Sequence, residues 1–170
     1  MSSASPDLAL LLGPRFDSEE EAARWIEPLL AEGAPEAAHT AFRDALLAWF
    51  RRLQRTGAAA EPESFAQESS ELSACLLDWL EADGLEADED RYLEAVRTWS
   101  ALLNGLLIEH GLPLRFRRVL PQQRFDHDRM ESVASHSGHH LRIARPLAWI
   151  VCEDTEDGSR ILRRARVTTT

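Results

Sequence analysis

His110-Gly111-Leu112-Pro113-Leu114-Arg115-Phe116-Arg117 divides the chain into two kinds of structure. Before it, apolar residues recur every three or four positions; after it, they alternate. Glycine takes the left-handed backbone conformation that ends a helix, and a proline just beyond it cannot continue one. Leu114 and Phe116 then alternate with Arg115 and Arg117, the period of a half-buried strand. A helical part over residues 1–112 and a small β-rich module over residues 113–170 therefore make an α+β chain with its helices and strands segregated.

Working back from Gly111, residues 88–110 predict the strongest helix. Leu93, Val96, Trp99, Leu103, Leu106 and Leu107 fall on one face. Ser64 with Gln67 caps a second, carrying Phe65, Leu72, Cys75, Leu76, Trp79 and Leu80 to a stop near Asp83-Gly84. Residues 36–55 predict a third, with Phe42, Leu46, Trp49, Phe50 and Leu53 in a stripe and Arg43, Asp44, Arg51 and Arg52 facing away. Further back, Ser18 with Glu21 opens a helix through Trp25 and Ile26 that Pro28 kinks, and Ser5-Pro6-Asp7 opens a short one ended by Gly13-Pro14. The helical part reads as a bundle of four or five helices.

Working forward, Leu147 to Cys152 is an apolar run read as one strand. Ile161, Arg163, Ala165 and Val167 fall on one side of another, and Asp157-Gly158 between them marks a hairpin because glycine takes positive φ cheaply. Asp126, ahead of a turn, is placed to accept backbone N–H groups, with Phe125 and Met130 packing beneath it. Gly158 is the turn residue, while Arg160 and Arg163 present planar charged groups to an acidic partner.

The 170 residues carry 19 Lys and Arg, all of them arginine, against 29 acids, a net charge of −10. The absence of lysine excludes a Schiff-base mechanism and a Walker-type phosphate loop. Residues 1–112 hold 8 Arg against 22 acids; residues 113–170 hold 11 against 7. So small a positive excess does not predict nucleic-acid binding. No apolar run reaches the roughly 20 residues that span a bilayer, and the N-terminus lacks a basic signal region, so a cytoplasmic protein is expected. Cys75 and Cys152, far apart and outside any paired motif, read as free thiols.

His127, His136, His139 and His140 lie close together beside Asp126 and Asp128, but without the paired spacing of a metal site; no metal and no cofactor is expected. Asp126 and Asp128, one residue apart on a turn, cap and solvate more naturally than they act as an acid–base pair, and no nucleophile elbow is present. The chain does not read as an enzyme.

Two stretches carry a resemblance. Phe125-Asp126-His127-Asp128-Arg129-Met130-Glu131-Ser132-Val133 is similar to the Phe-Asp-Pro-x-x-His-Glu-Ala-Val signature of GrpE-type proteins, the nucleotide-exchange factors of DnaK-type chaperones. Gly158-Ser159-Arg160-Ile161-Leu162-Arg163-Arg164-Ala165-Arg166-Val167 resembles that family's closing strand, with Arg160, Arg163, Ala165 and Val167 in register. Residues 93–112 resemble the helix that precedes both, so the likeness spans about residues 90–170. His127 and Met130 stand where the signature has proline and histidine, Arg164 stands where the strand has proline, and the family's long charged N-terminal coiled coil is replaced by shorter amphipathic stretches.

The resemblance implies a β module that wedges against the nucleotide-binding domain of a DnaK-type chaperone and promotes ADP release, in a protein of the stress response that pairs as a homodimer. Phe125, Met130, Arg160 and Arg163 would form the contact set, with Asp126, Gly158, Ala165 and Val167 as structural supports. Two other readings stay open: an adaptor with this fold but no exchange activity, and a helical domain that binds a small molecule among its tryptophans.

Overall fold

The computed structural model describes residues 37–54, 62–82, 89–134 and 142–169. The helices expected from Ser5 and Ser18, and His136, His139 and His140, lie outside them. Among the described residues three helices, α1 (Ala37–Gln54), α2 (Pro62–Ala82) and α3 (Glu89–Glu109), precede six short strands: β1 (Leu114–Arg117), β2 (Met130–Ala134), β3 (Ile143–Ala148), β4 (Ile150–Thr155), β5 (Gly158–Arg163) and β6 (Ala165–Thr169). Helices first and strands after make the fold α+β. None of the described helices is long and apolar enough to cross a membrane.

The helices form where the apolar period demands. Phe42, Leu46, Trp49, Phe50 and Leu53 of α1, Phe65, Leu72, Leu76, Trp79 and Leu80 of α2, and Val96, Trp99, Leu103 and Leu107 of α3 are all buried in one cluster. Phe42 stacks on Trp79 at 5.0 Å and meets Trp99 edge-on at 5.1 Å. A polar contact deep in this core is satisfied in series: the Trp49 indole N–H donates to Ser69 Oγ at 2.9 Å, and that hydroxyl donates to the Phe65 carbonyl. Helix α3 closes at Gly111, whose φ is 69°. The Leu112 N–H reaches back to the Leu107 carbonyl and the Gly111 N–H to that of Ile108, each at 3.0 Å, a Schellman ending with buried leucines at both of its apolar positions.

The strands form two sheets of three, β1-β4-β5, which is antiparallel, and β2-β6-β3, in which β2 runs parallel to β6 and β3 antiparallel to it. Each stretch expected to be one strand is two. The run Leu147–Cys152 breaks at Trp149, and the run through Ile161 and Val167 breaks at Arg164. Residues 143–169 are thus a long hairpin bent midway, its tip in one sheet and its base in the other. Trp149 supplies a reason for the bend: its ring is fully buried among the helices, edge-on to Phe116 at 6.2 Å, and its backbone N–H donates to Ser73 Oγ on α2 at 3.0 Å rather than to a neighbouring strand.

The helical part and the β module are not separately cored. Leu112, Leu114, Phe116, Trp149 and Val151 belong to the helical cluster, while Val119, Met130, Ile143, Ile150, Ala165 and Val167 form a smaller core within the strands. Arg145 of β3 pairs with Asp78 and Glu81 of α2, adding a charged clasp to the seam.

Candidate functional site

The two stretches that carry the family likeness are some thirty residues apart in sequence and adjacent in space. Met130, Glu131 and Ser132 of β2 pair with Ala165, Arg166 and Val167 of β6. The Ala165 N–H donates to the Arg129 carbonyl at 2.9 Å, and the Arg164 guanidinium to that of His127 at 3.3 Å. One small unit therefore holds both.

Asp126 shapes its entrance. Its Oδ1 accepts the Asp128 N–H at 3.0 Å, and its carbonyl accepts the N–H groups of Arg129 and Met130 at 3.1 and 2.9 Å. This turn points Phe125 and Met130 toward the strand core. Ala165 and Val167 are fully buried there. Gly158 opens β5 at φ 123°, a conformation that strains any other residue, although a side chain at this position would meet no atom within 4 Å.

The expected contact residues do not form one face. Met130 is only 2 % exposed, which corrects its assignment to the contact set. It is a core residue because the Asp126 turn directs it inward. Phe125 is half-buried over the same core and edge-on to His127 at 4.7 Å. Arg160 is exposed on β5, with Glu153 at 3.1 Å. Arg163 is half-buried at the end of β5, its Nε buried without a hydrogen-bond partner, and it lines a different hollow, beside Glu71 of α2.

A concavity of about 1050 Å³ lies between the outer face of α3 and the segment from β1 to the Asp126 turn. Arg97, Arg117, Arg118, Arg124 and Arg129 line it, against Asp126 and Asp128. Half-buried Phe125, with the buried Met130 and Ile150 behind it, gives it an apolar floor. Arg129 lies 3.7 Å from Asp126, and Arg117 3.8 Å from Asp154. A hydrogen bond from Arg117 Nε to Cys152 Sγ at 3.1 Å raises the Arg117 pKa above its ordinary value, against the effect of partial burial. Sequence reading missed this cleft because its arginines come from separate segments that only the fold brings together.

Other chemistry finds little footing. Among the described residues no three His, Cys, Asp or Glu side chains are grouped to hold a metal. Cys75 and Cys152 are both free thiols. Burial, with Asp78 and Glu71 nearby, pushes the Cys75 thiol above its usual range and leaves it a poor nucleophile. Trp79 and Trp99 meet each other edge-on at 5.9 Å inside the core, where their rings fill space rather than line it. No family model, curated protein or solved structure matches the chain.

Proposed function

We propose that this protein binds the nucleotide-binding domain of a DnaK-type chaperone through its β module and promotes release of ADP. The observation that carries this reading is the joining of the two GrpE-like stretches, remote in sequence, into one β2/β6 unit directly after a glycine-terminated helix. Such an activity makes and breaks no bond. It needs a surface that binds the open, nucleotide-poor chaperone more tightly than the closed one, because only differential affinity shifts a population. A hundredfold weakening of ADP binding corresponds to a difference of about 2.7 kcal/mol, which a few well-placed side chains can supply.

Phe125, Arg160 and Arg163 remain the contact residues of this proposal. Arg160→Ala is expected to weaken binding to the chaperone's nucleotide-binding domain about three- to tenfold, since an exposed arginine at an interface typically contributes on the order of 1 kcal/mol. Biolayer interferometry on the isolated domain reads the change; an unaltered affinity with the fold intact would remove Arg160 from the contact set.

One observation favours an adaptor as the second reading. Helices of 18, 21 and 21 residues pack into a shared core instead of extending as a coiled coil. The apolar face of α3, including Trp99 and Leu103, is buried within its own chain, so a homodimer would need a surface other than that face. Tight chaperone binding with unchanged ADP release would select the adaptor.

A further inference from the structure

We infer that the arginine-lined cleft between α3 and the Asp126 turn is a docking groove for an extended acidic peptide segment of a partner protein, one with carboxylates spaced along it and an apolar residue among them. This does not rest on the exchange reading, because such a groove would serve an adaptor as well as an exchange factor.

Three observations carry the inference. First, five arginines and two aspartates face one concavity, a local excess of three positive charges on a chain whose net charge is −10. Second, the guanidinium groups of Arg97, Arg118 and Arg124 are engaged by no hydrogen bond or ion pair among the described residues. Arg117 and Arg129, by contrast, have Asp154 and Asp126 nearby. A guanidinium presents a planar fork of donors that matches a carboxylate in a bidentate pair, and a concave wall of low dielectric strengthens the attraction. Third, half-buried Phe125, with Ile150 beside it, supplies an apolar seat in the same cleft.

The dimensions and charge select among anions. A cleft of about 1050 Å³ bounded by a helix on one side and a strand and turn on the other is too large and open for a single small anion to touch the separate arginines together. A nucleic acid carries a charge at every phosphate, too dense a run for a wall that includes two aspartates, and has no aliphatic side chain to seat on Phe125. A peptide carries fewer, spaced charges and an apolar side chain for Phe125, and so satisfies both parts of the lining.

Fluorescence anisotropy tests the assignment on the full chain. The probe is a fluorescein-labelled peptide of Asp and Glu with a central Leu. Its controls are the same peptide with Asn and Gln replacing the acids, and a single-stranded oligothymidylate of matched charge. The acidic peptide is expected to bind saturably, at least about tenfold more tightly than its neutral counterpart, with the affinity falling as salt is raised from about 0.05 to about 0.5 M. The triple variant Arg97→Gln, Arg118→Gln, Arg124→Gln is expected to lose at least about tenfold in affinity. These side chains are exposed, so its melting temperature should match that of the parent. Absence of saturable peptide binding, equal binding by the folded triple variant, or tighter binding of the oligothymidylate would each overturn the proposal.

Discussion

Replacing Trp149 with alanine is expected to destabilise the protein by about 3–5 kcal/mol, the range for removing a large aromatic ring from a packed core. Trp149 has no exposed surface, meets Phe116 edge-on, and sits in the cluster built by the three helices although it belongs to the β3–β4 arm. Domains are stable by only about 5–15 kcal/mol in total, so this one substitution removes a large share. The loss should strike helices and strands together. Urea unfolding followed by far-UV circular dichroism and by fluorescence of the remaining tryptophans should give one coincident transition in both parent and variant, displaced to lower urea in the variant. A cost below about 1 kcal/mol, or a helical signal that outlasts the loss of the β module, would contradict a shared core. Trp149→Phe offers a contrast. The indole Nε1 is buried without a hydrogen-bond partner, so removing it relieves a desolvation cost of about 1–3 kcal/mol that offsets the lost ring volume. That variant is expected to stay within about 1.5 kcal/mol of the parent.

Asn104→Ala is expected to cost about 2–3 kcal/mol, from two lost hydrogen bonds and two partly buried backbone groups left without them. On α3, the Asn104 amide does for β1 what a neighbouring strand would do. Its Nδ2 donates to the Phe116 carbonyl at 3.0 Å, and its Oδ1 accepts the Phe116 N–H at 2.7 Å. Among the described residues β1 is the outer strand of its sheet, paired with β4 alone, so this amide satisfies the free edge at the residue that carries Phe116 into the helical core. Asn104→Asp tests the donor alone, because a carboxylate keeps the acceptor for the Phe116 N–H but faces the Phe116 carbonyl with no proton to give. It is expected to fall below the parent in urea midpoint at neutral pH and to recover part of the loss as the carboxyl is protonated. A midpoint for Asn104→Ala equal to that of the parent would show that the edge does not depend on this residue.

The helices and their buried faces were legible because a 3.6-residue period is a local signal. Every apolar residue assigned to the faces of α1 and α3 is buried or packed against the core, as are those of α2, with Cys75 at its margin. Gly111 and Pro113 marked the division for the same local reason. The strands were less legible. β2 was not anticipated, because Met130-Glu131-Ser132-Val133-Ala134 acquires its character from a parallel partner, β6, far away in the chain. The bends at Trp149 and Arg164 were hidden because a run that changes sheets keeps an apolar pattern on both sides of the corner. The Asp126 turn was readable from a short-range side-chain preference, whereas the burial of Met130 followed from where that turn aims the chain. The cleft was invisible in sequence for a further reason. Arg97 and Arg124 share its wall only once α3 has packed beside the β module.

The most direct test of the proposed function is release of a fluorescent ADP analogue from the DnaK-type chaperones of the host cell, followed by stopped flow with and without this protein. Release from at least one of them is expected to be faster, rising with concentration to a plateau and reduced by Arg160→Ala. Unchanged release from every one, while a known exchange factor accelerates each, would contradict it.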